Sequence, residues 1–210
     1  MLFRSIGLDS VIKLSATTST SPGFPSWNHD MIKAPALWSE GITGNGIVIA
    51  SMDTGVDVEH PDLVSKWRGG VNSWYDPYLE YNQPYDGVGH GTQVMGVMVG
   101  GNASGSQIGI APDAKWIAVK IFRNNQTATL SAIHAGFQWL LDPDGDPFTD
   151  DAPDIVNNSW GTTGQGCDSE FHADIDALKL AGIEVVFSAG NAGSLENTLY
   201  SPADYVEVVS

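Results

Sequence analysis

Residues 46–56 read Gly-Ile-Val-Ile-Ala-Ser-Met-Asp-Thr-Gly-Val. The run from Gly46 to Met52 is strand-length, rich in β-branched side chains and apolar at nearly every position rather than at alternate ones. A strand of this kind hides both faces, which is the condition of a parallel sheet sandwiched by helices. It stops at a carboxylate, Asp53, with Gly55 two positions on. Open α/β sheets bind ligands beyond the carboxyl ends of their strands, so Asp53 stands where chemistry is expected.

The same alternation continues along the chain. Trp116 to Phe122, Asp154 to Ser159, Ile183 to Ser188 and Val206 to Ser210 are further strand candidates. Between them, Thr129 to Leu141 spaces Leu130, Ile133, His134, Phe137, Leu140 and Leu141 as a helix, and Phe171 to Ala181 does the same with Ile175, Leu178 and Leu180. Short strands alternating with longer helices specify an α/β fold with a mostly parallel central sheet and helices on both faces. Upstream, residues 15–26 read Ser-Ala-Thr-Thr-Ser-Thr-Ser-Pro-Gly-Phe-Pro-Ser, a linker composition that puts a boundary near Trp27.

The 210 residues carry 9 Lys or Arg against 25 Asp or Glu, a formal net charge of −16 and a pI near 4.3. So acidic a surface repels phosphate backbones, and no basic cluster offers a footing for nucleic acid or an anionic membrane, so neither is expected as a partner. With 42% hydrophobic and 16% charged residues the composition is globular. No apolar run approaches the ~18–20 residues of a membrane span. Cys167, the single cysteine, excludes an internal disulfide and a Cys-based zinc site. The opening stretch, Met-Leu-Phe-Arg-Ser-Ile-Gly-Leu-Asp-Ser-Val-Ile-Lys-Leu-Ser, is broken by Arg4, Asp9 and Lys13 and lacks the apolar core of a signal peptide.

Polar residues beside glycine follow three of the strands, as Asp53-Thr54-Gly55, Asn157-Asn158-Ser159-Trp160-Gly161 and Ser188-Ala189-Gly190-Asn191. His90, in Gly89-His90-Gly91-Thr92, precedes Val94, Met95, Val97, Met98 and Val99, which reads as a buried helix with the imidazole at its N-terminus. Taken singly, each is as readily a turn or cap residue. Together they are parts of a nucleophilic acyl-transfer site: a carboxylate to orient the imidazole, an imidazole to take the nucleophile's proton, and an amide to donate to the oxyanion.

From Trp27 to Ser210 the motifs resemble those of the subtilases, the subtilisin-like serine proteases, and most of all the bacillopeptidase F type. The residues that carry the likeness are Met31-Ile32-Lys33-Ala34-Pro35, Ile47 to Val56, His60-Pro61-Asp62-Leu63, His90-Gly91-Thr92, Gly109-Ile110-Ala111-Pro112, Asn157 to Gly161 and Phe187 to Asn191. The resemblance implies a three-layer fold and a secreted serine-type endopeptidase acting on polypeptides. It implies Asp53 as the triad carboxylate, His90 as general base and then acid, and Asn191 as the side-chain donor of the oxyanion hole. It implies that Ser159, Trp160 and Gly161 line the primary specificity pocket, with Trp160 a bulky wall, and that Gln126, Thr127 and Ala128 pair with extended substrate as an added β-strand. Val11-Ile12-Lys13-Leu14 resembles the family's last prodomain strand, so residues 1–26 are expected to be a prodomain tail and linker, the chain's own prodomain being a second partner. Residues 27–210 are expected to be the N-terminal portion of a peptidase domain.

The departures are as informative. The family's nucleophile sits in a Gly-Thr-Ser turn well beyond the asparagine, whereas the two Gly-Thr pairs here continue as Gly91-Thr92-Gln93 and Gly161-Thr162-Thr163. The resemblance therefore implies a chain truncated before its serine, its sheet incomplete at the C-terminus, and inactive alone. No cofactor is required. Asp62 matches the family's calcium-liganding carboxylate, but Ala103 replaces a usual Asn and Gly23 a usual Gln, which removes two of the ~6–8 oxygens calcium takes. The Asp-rich stretch 142–154 opens with carboxylates at 142, 144 and 146 like a calcium loop, yet no Glu completes it, and a solvated loop is the preferred reading. Two alternatives remain: a non-catalytic pseudoprotease that binds peptides, and an aspartic protease, whose signature is also Asp-Thr-Gly but which needs two such loops in an all-β fold.

Overall fold

A computed structural model of the protein describes residues 9–14, 27–162, 168–193 and 198–210. The linker reading of residues 15–26, Gly23 and Cys167 lie outside them.

In chain order the elements are β1 Val11–Lys13, α1 Trp27–Met31, α2 Ala34–Ser39, β2 Val48–Asp53, β3 Trp74–Tyr75, α3 His90–Val99, β4 Lys115–Lys120, β5 Thr127–Thr129, α4 Leu130–Leu140, β6 Ile155–Asn158, α5 His172–Leu180 and β7 Glu184–Phe187. Five strands form one sheet in the order β3-β4-β2-β6-β7, every neighbouring pair parallel. β2, the strand of the opening motif, lies at its centre, with Asp53 beside Lys120 of β4 and Ser51 beside Asn157 of β6. All carboxyl ends therefore face one edge.

Alternate side chains divide the core into two clusters. Ala50, Met52, Ile117 and Val119 pack with Ile133, Phe137 and Leu140 of α4 and Ile175 and Leu178 of α5. Ile49, Trp116 and Ala118 pack with Met95 and Val99 of α3. This gives three layers, α4 and α5 on one face of the sheet and α3 on the other. Continuous apolarity along β2 and β4 is the consequence of serving both.

Two expectations are corrected. Val206 to Ser210 is not a strand: it is turn, joined to the sheet only by the single bridge Val186↔Val209, while Val206 is 93% exposed. Val208 N turns back to donate to Tyr205 O, and the Tyr205 ring stacks on His172. Leu180 is 90% exposed although its neighbours along the helix, Ile175 and Leu178, are fully buried, because two residues after Leu178 the helix has rotated to the solvent side.

β1 and β5 form a separate antiparallel pair, with Val11 opposite Thr129, Ile12 opposite Ala128 and Lys13 opposite Thr127. Leu14 N donates to Gln126 O and Leu130 N to Ser10 O, extending the ladder at both ends. Ile12 and Leu14 are buried in the same core cluster as Ala128 and Ile133. Just beyond, Thr129 caps α4 by accepting from Ala132 N, and the Asp9 carboxylate accepts from Ser131 N and Ser131 Oγ. A carboxylate at a helix N-terminus is favourably placed against the helix dipole.

Candidate active site

Asp53 is the last residue of β2 and His90 the first of α3, and the fold brings them together: His90 Nδ1 lies 2.7 Å from Asp53 Oδ1. Asp53 is 1% exposed, and the same Oδ1 accepts from Thr54 N at 2.6 Å. Asp53 Oδ2 is buried and has no hydrogen-bond partner among the described residues. Burial pushes the Asp53 carboxyl up from its ordinary range, opposed by the hydrogen bond and charge of His90. The hydrogen bond to Asp53 in turn holds the His90 imidazole above its usual value, against a smaller opposing effect of burial. An Asp carboxylate can only accept, so the proton between them sits on Nδ1 and leaves Nε2 of neutral His90 as a lone-pair base.

Two glycines make this approach possible. A Cβ on Gly91 would lie 2.1 Å from Gly55 O and 3.1 Å from Asp53 Cβ. Gly55 has φ 104°, and a Cβ there would fall 2.0 Å from Tyr85 O. A side chain at position 91 pushes the helix start away from the strand end, and one at position 55 pushes away the Tyr85 backbone of the loop before the helix. Gly91 N donates to Thr54 Oγ1, fastening the two segments directly.

The expected site residues that follow β6 and β7 lie along the same sheet edge. Ser159, Trp160 and Gly161 follow β6, and the loop with Asn191 follows β7, with Ser188 N bonded to Asn158 O. Asn191 is exposed. Trp160 is 4% exposed and its ring packs among Phe122, Phe137, Phe171 and Phe187, in the core beneath the site. A β-edge aromatic looks the same in sequence whether it points in or out. Tyr200 occupies the space between the two loops, since a Cβ on Gly161 would meet Tyr200 Cβ at 3.0 Å and one on Gly190 would meet its ring at 2.6 Å. Gln126 to Ala128 present the edge on which β1 is paired, so the segment expected to take extended peptide carries the chain's own residues 11–13.

The cation candidates separate. Asp62 is 1% exposed; its Oδ1 accepts from Ser104 N, and its buried Oδ2 has no partner among the described residues. Gln107 Nε2 donates to Gly100 O and Gly109 O, closing the neighbouring loop through its own amide. In the Asp-rich loop, the oxygens that cluster within 4.8 Å of one another are those of Asp142, Asp144 and Asp151, while Asp146, the third carboxylate of the sequence pattern, accepts from Phe148 N. Sequence spacing missed Asp86, close to both Asp53 and His90, and Lys120, beside Asp53 on β4. No local pattern marks them, because their partners lie in other elements.

Among the described residues no helix is long and apolar enough to cross a membrane. A family model described as the subtilase family matches residues 44–210. Among curated proteins, bacillopeptidase F of Bacillus subtilis (strain 168) is 40% identical over 98% of this chain and 15% of its own length. Subtilisin E of the same strain is 34% identical over 85% of the chain and 44% of its own length, and the minor extracellular protease Epr is 34% identical over 94% of the chain and 28% of its own. The chain thus spans less than half the length of these relatives.

Proposed function

The chain belongs to the subtilase family, and from that membership we propose that its residues 27–210 form part of a serine endopeptidase domain, with Asp53 and His90 as the proton-transfer half of the site. The observation that carries this is the 2.7 Å contact between His90 Nδ1 and Asp53 Oδ1, made by two segments that only the tertiary fold brings together. Asp53 holds the imidazole in the tautomer that leaves Nε2 unprotonated. His90 Nε2 takes the proton of an attacking hydroxyl and later returns it to the leaving amine, and Asp53 stabilises the imidazolium in between. Asn191 donates to the oxyanion; loss of such a donor costs roughly 10²–10³ in turnover, a magnitude taken from subtilisin itself.

The 210 residues contain no Gly-Thr-Ser sequence, so by themselves they are expected not to cleave peptide bonds. The test is peptide hydrolysis by the 210-residue chain, expected at background. Cleavage above background that disappears in Asp53→Ala or His90→Ala would overturn the reading that these residues lack the nucleophile. In a full-length protein that carries this segment, inhibition by phenylmethylsulfonyl fluoride and not by pepstatin separates serine from aspartic chemistry, and the parallel α/β sheet around Asp53 favours the first.

Residues 9–14 are assigned to the tail of an inhibitory prodomain, with 15–26 as the processing linker; the support is the β1–β5 pairing on the peptide-binding edge. The same pairing favours a second reading of the isolated 210 residues as a peptide-binding, non-cleaving fragment. Secretion is proposed by likeness to relatives such as the minor extracellular protease. Calcium is assigned at most a structural role, at the orphaned Asp62 oxygen, and calorimetric titration of the chain with calcium tests it.

A further inference from the structure

Asp86 lies in the loop just before α3, half-buried, and its carboxylate is shared by both segments of the site. Asp86 Oδ1 accepts from Thr54 Oγ1 at 2.9 Å, from Val88 N at 3.1 Å and from Gly89 N at 2.8 Å. Its Oδ2 accepts from Thr92 N at 2.9 Å and Thr92 Oγ1 at 2.6 Å. Thr54 adjoins Asp53, and Thr92 is two residues from His90. Thr54 Oγ1 in turn accepts from Gly91 N, and Thr92 Oγ1 accepts from Asp57 N, so the threonines clamp each other's segments through the one carboxylate.

A carboxylate that merely capped α3 would engage the helix's own first amides and nothing on β2. This one also takes the hydroxyl of the residue that follows Asp53, and so fixes the helix start relative to the strand end. We propose that Asp86 is a positioning residue, holding Thr54 and Thr92 so that Asp53 and His90 keep hydrogen-bonding register. It rests on the reading of Asp53 and His90 as a proton-transfer pair.

The groups that face this carboxylate electrostatically are Asp53, His90 and Lys120. Lys120 Nζ is committed to Thr54 O and Phe122 O and lies over the rings of Tyr81 and Tyr85; Asp76 and Glu80 are its other acidic neighbours. The negative charge of Asp86 adds to that of Asp53 in favouring protonated His90.

The experiment is nitrogen-15 NMR of the His90 ring in the 210-residue chain, with Asp86→Asn as the main variant and Thr54→Val as the second. Asparagine keeps an acceptor for Thr54 but presents N–H groups to Thr92, and it removes the charge. In Asp86→Asn the His90 titration midpoint is expected to fall and its Nδ1–H to exchange at least about tenfold faster, as for loss of a charge-assisted contact. Thr54→Val, which keeps the charge but cuts the clamp on the β2 side, is expected to speed Nδ1–H exchange and leave the midpoint raised. Folded variants whose midpoint and exchange both match the parent would overturn the proposal. Should Asp86→Asn not fold, unchanged Nδ1–H exchange in Thr54→Val alone would overturn it. If instead the parent chain itself shows an ordinary His90 midpoint and a freely exchanging Nδ1–H, it is the proton-transfer pair that fails.

Discussion

Gly91 and Gly55 meet backbone to backbone where the start of α3 packs against the end of β2, so closely that a Cβ on Gly91 would stand 2.1 Å from Gly55 O. That approach lets His90 reach Asp53. Gly91→Ala is expected to open the gap, costing about 1–3 kcal/mol as overpacking does elsewhere. Urea unfolding measures the loss, and the His90 Nδ1–H signal should weaken in the same variant. Full stability with an unchanged signal would mean that the two segments are not in contact as described.

β1 covers the edge that extended peptide is proposed to use. Ile12 is 7% exposed and lies in the main core cluster. Ile12→Glu would bury an unpaired carboxylate and is expected to release β1 from β5. A labelled peptide copying residues 9–14 should then bind the variant, read by fluorescence anisotropy, and should not bind the parent, whose edge is taken. Equal binding to both would place the peptide somewhere else.

Trp160 joins four phenylalanine rings beneath the site. Trp160→Ala is expected to cost about 3–5 kcal/mol, the range for deleting a large buried aromatic. Thermal or urea denaturation checks it, and a loss under 1 kcal/mol would mean that the ring is not packed in the core as described.

His134 joins α4 to α5, with Nδ1 2.8 Å from Asp174 Oδ2 and Nε2 3.1 Å from Glu170 Oε1. Its proton affinity is raised, first by the Asp174 hydrogen bond and then by Glu170, against burial. A folded value above the unfolded one means stability that is fully present below the ordinary imidazole value and lost as pH rises through the folded value. His134→Ala should therefore cost about 1 kcal/mol at acidic pH and distinctly less at alkaline pH, the Glu170 share being reduced because that side chain is exposed to screening water. A loss independent of pH would show packing, not charge, at work.

Most of the sheet and its helices were legible because β2, β4 and β7 are apolar through their middles and the helices between them keep a helical period, whereas the two-residue β3 carries no such signal. Asp53 and His90 were legible because each sits beside glycine at the end of such an element. What was not legible depends on distance along the chain. The Asp9 carboxylate reaches Ser131 across 122 positions, and Asp86 reaches Thr54 across 32. Neither carboxylate differs locally from the many others in a chain of net charge −16. The apolar run Val206–Val209 misled for the opposite reason: its pattern suits a strand, but Tyr205 ties it into a turn.

The proton-transfer pair is tested most directly by following the His90 ring through a pH titration by NMR in the parent chain and in Asp53→Asn. His90 should titrate above an ordinary imidazole in the parent, with a protected Nδ1–H, and Asp53→Asn should lower the midpoint and expose the proton. A midpoint that is ordinary in the parent and unmoved by Asp53→Asn would contradict the pairing of Asp53 with His90.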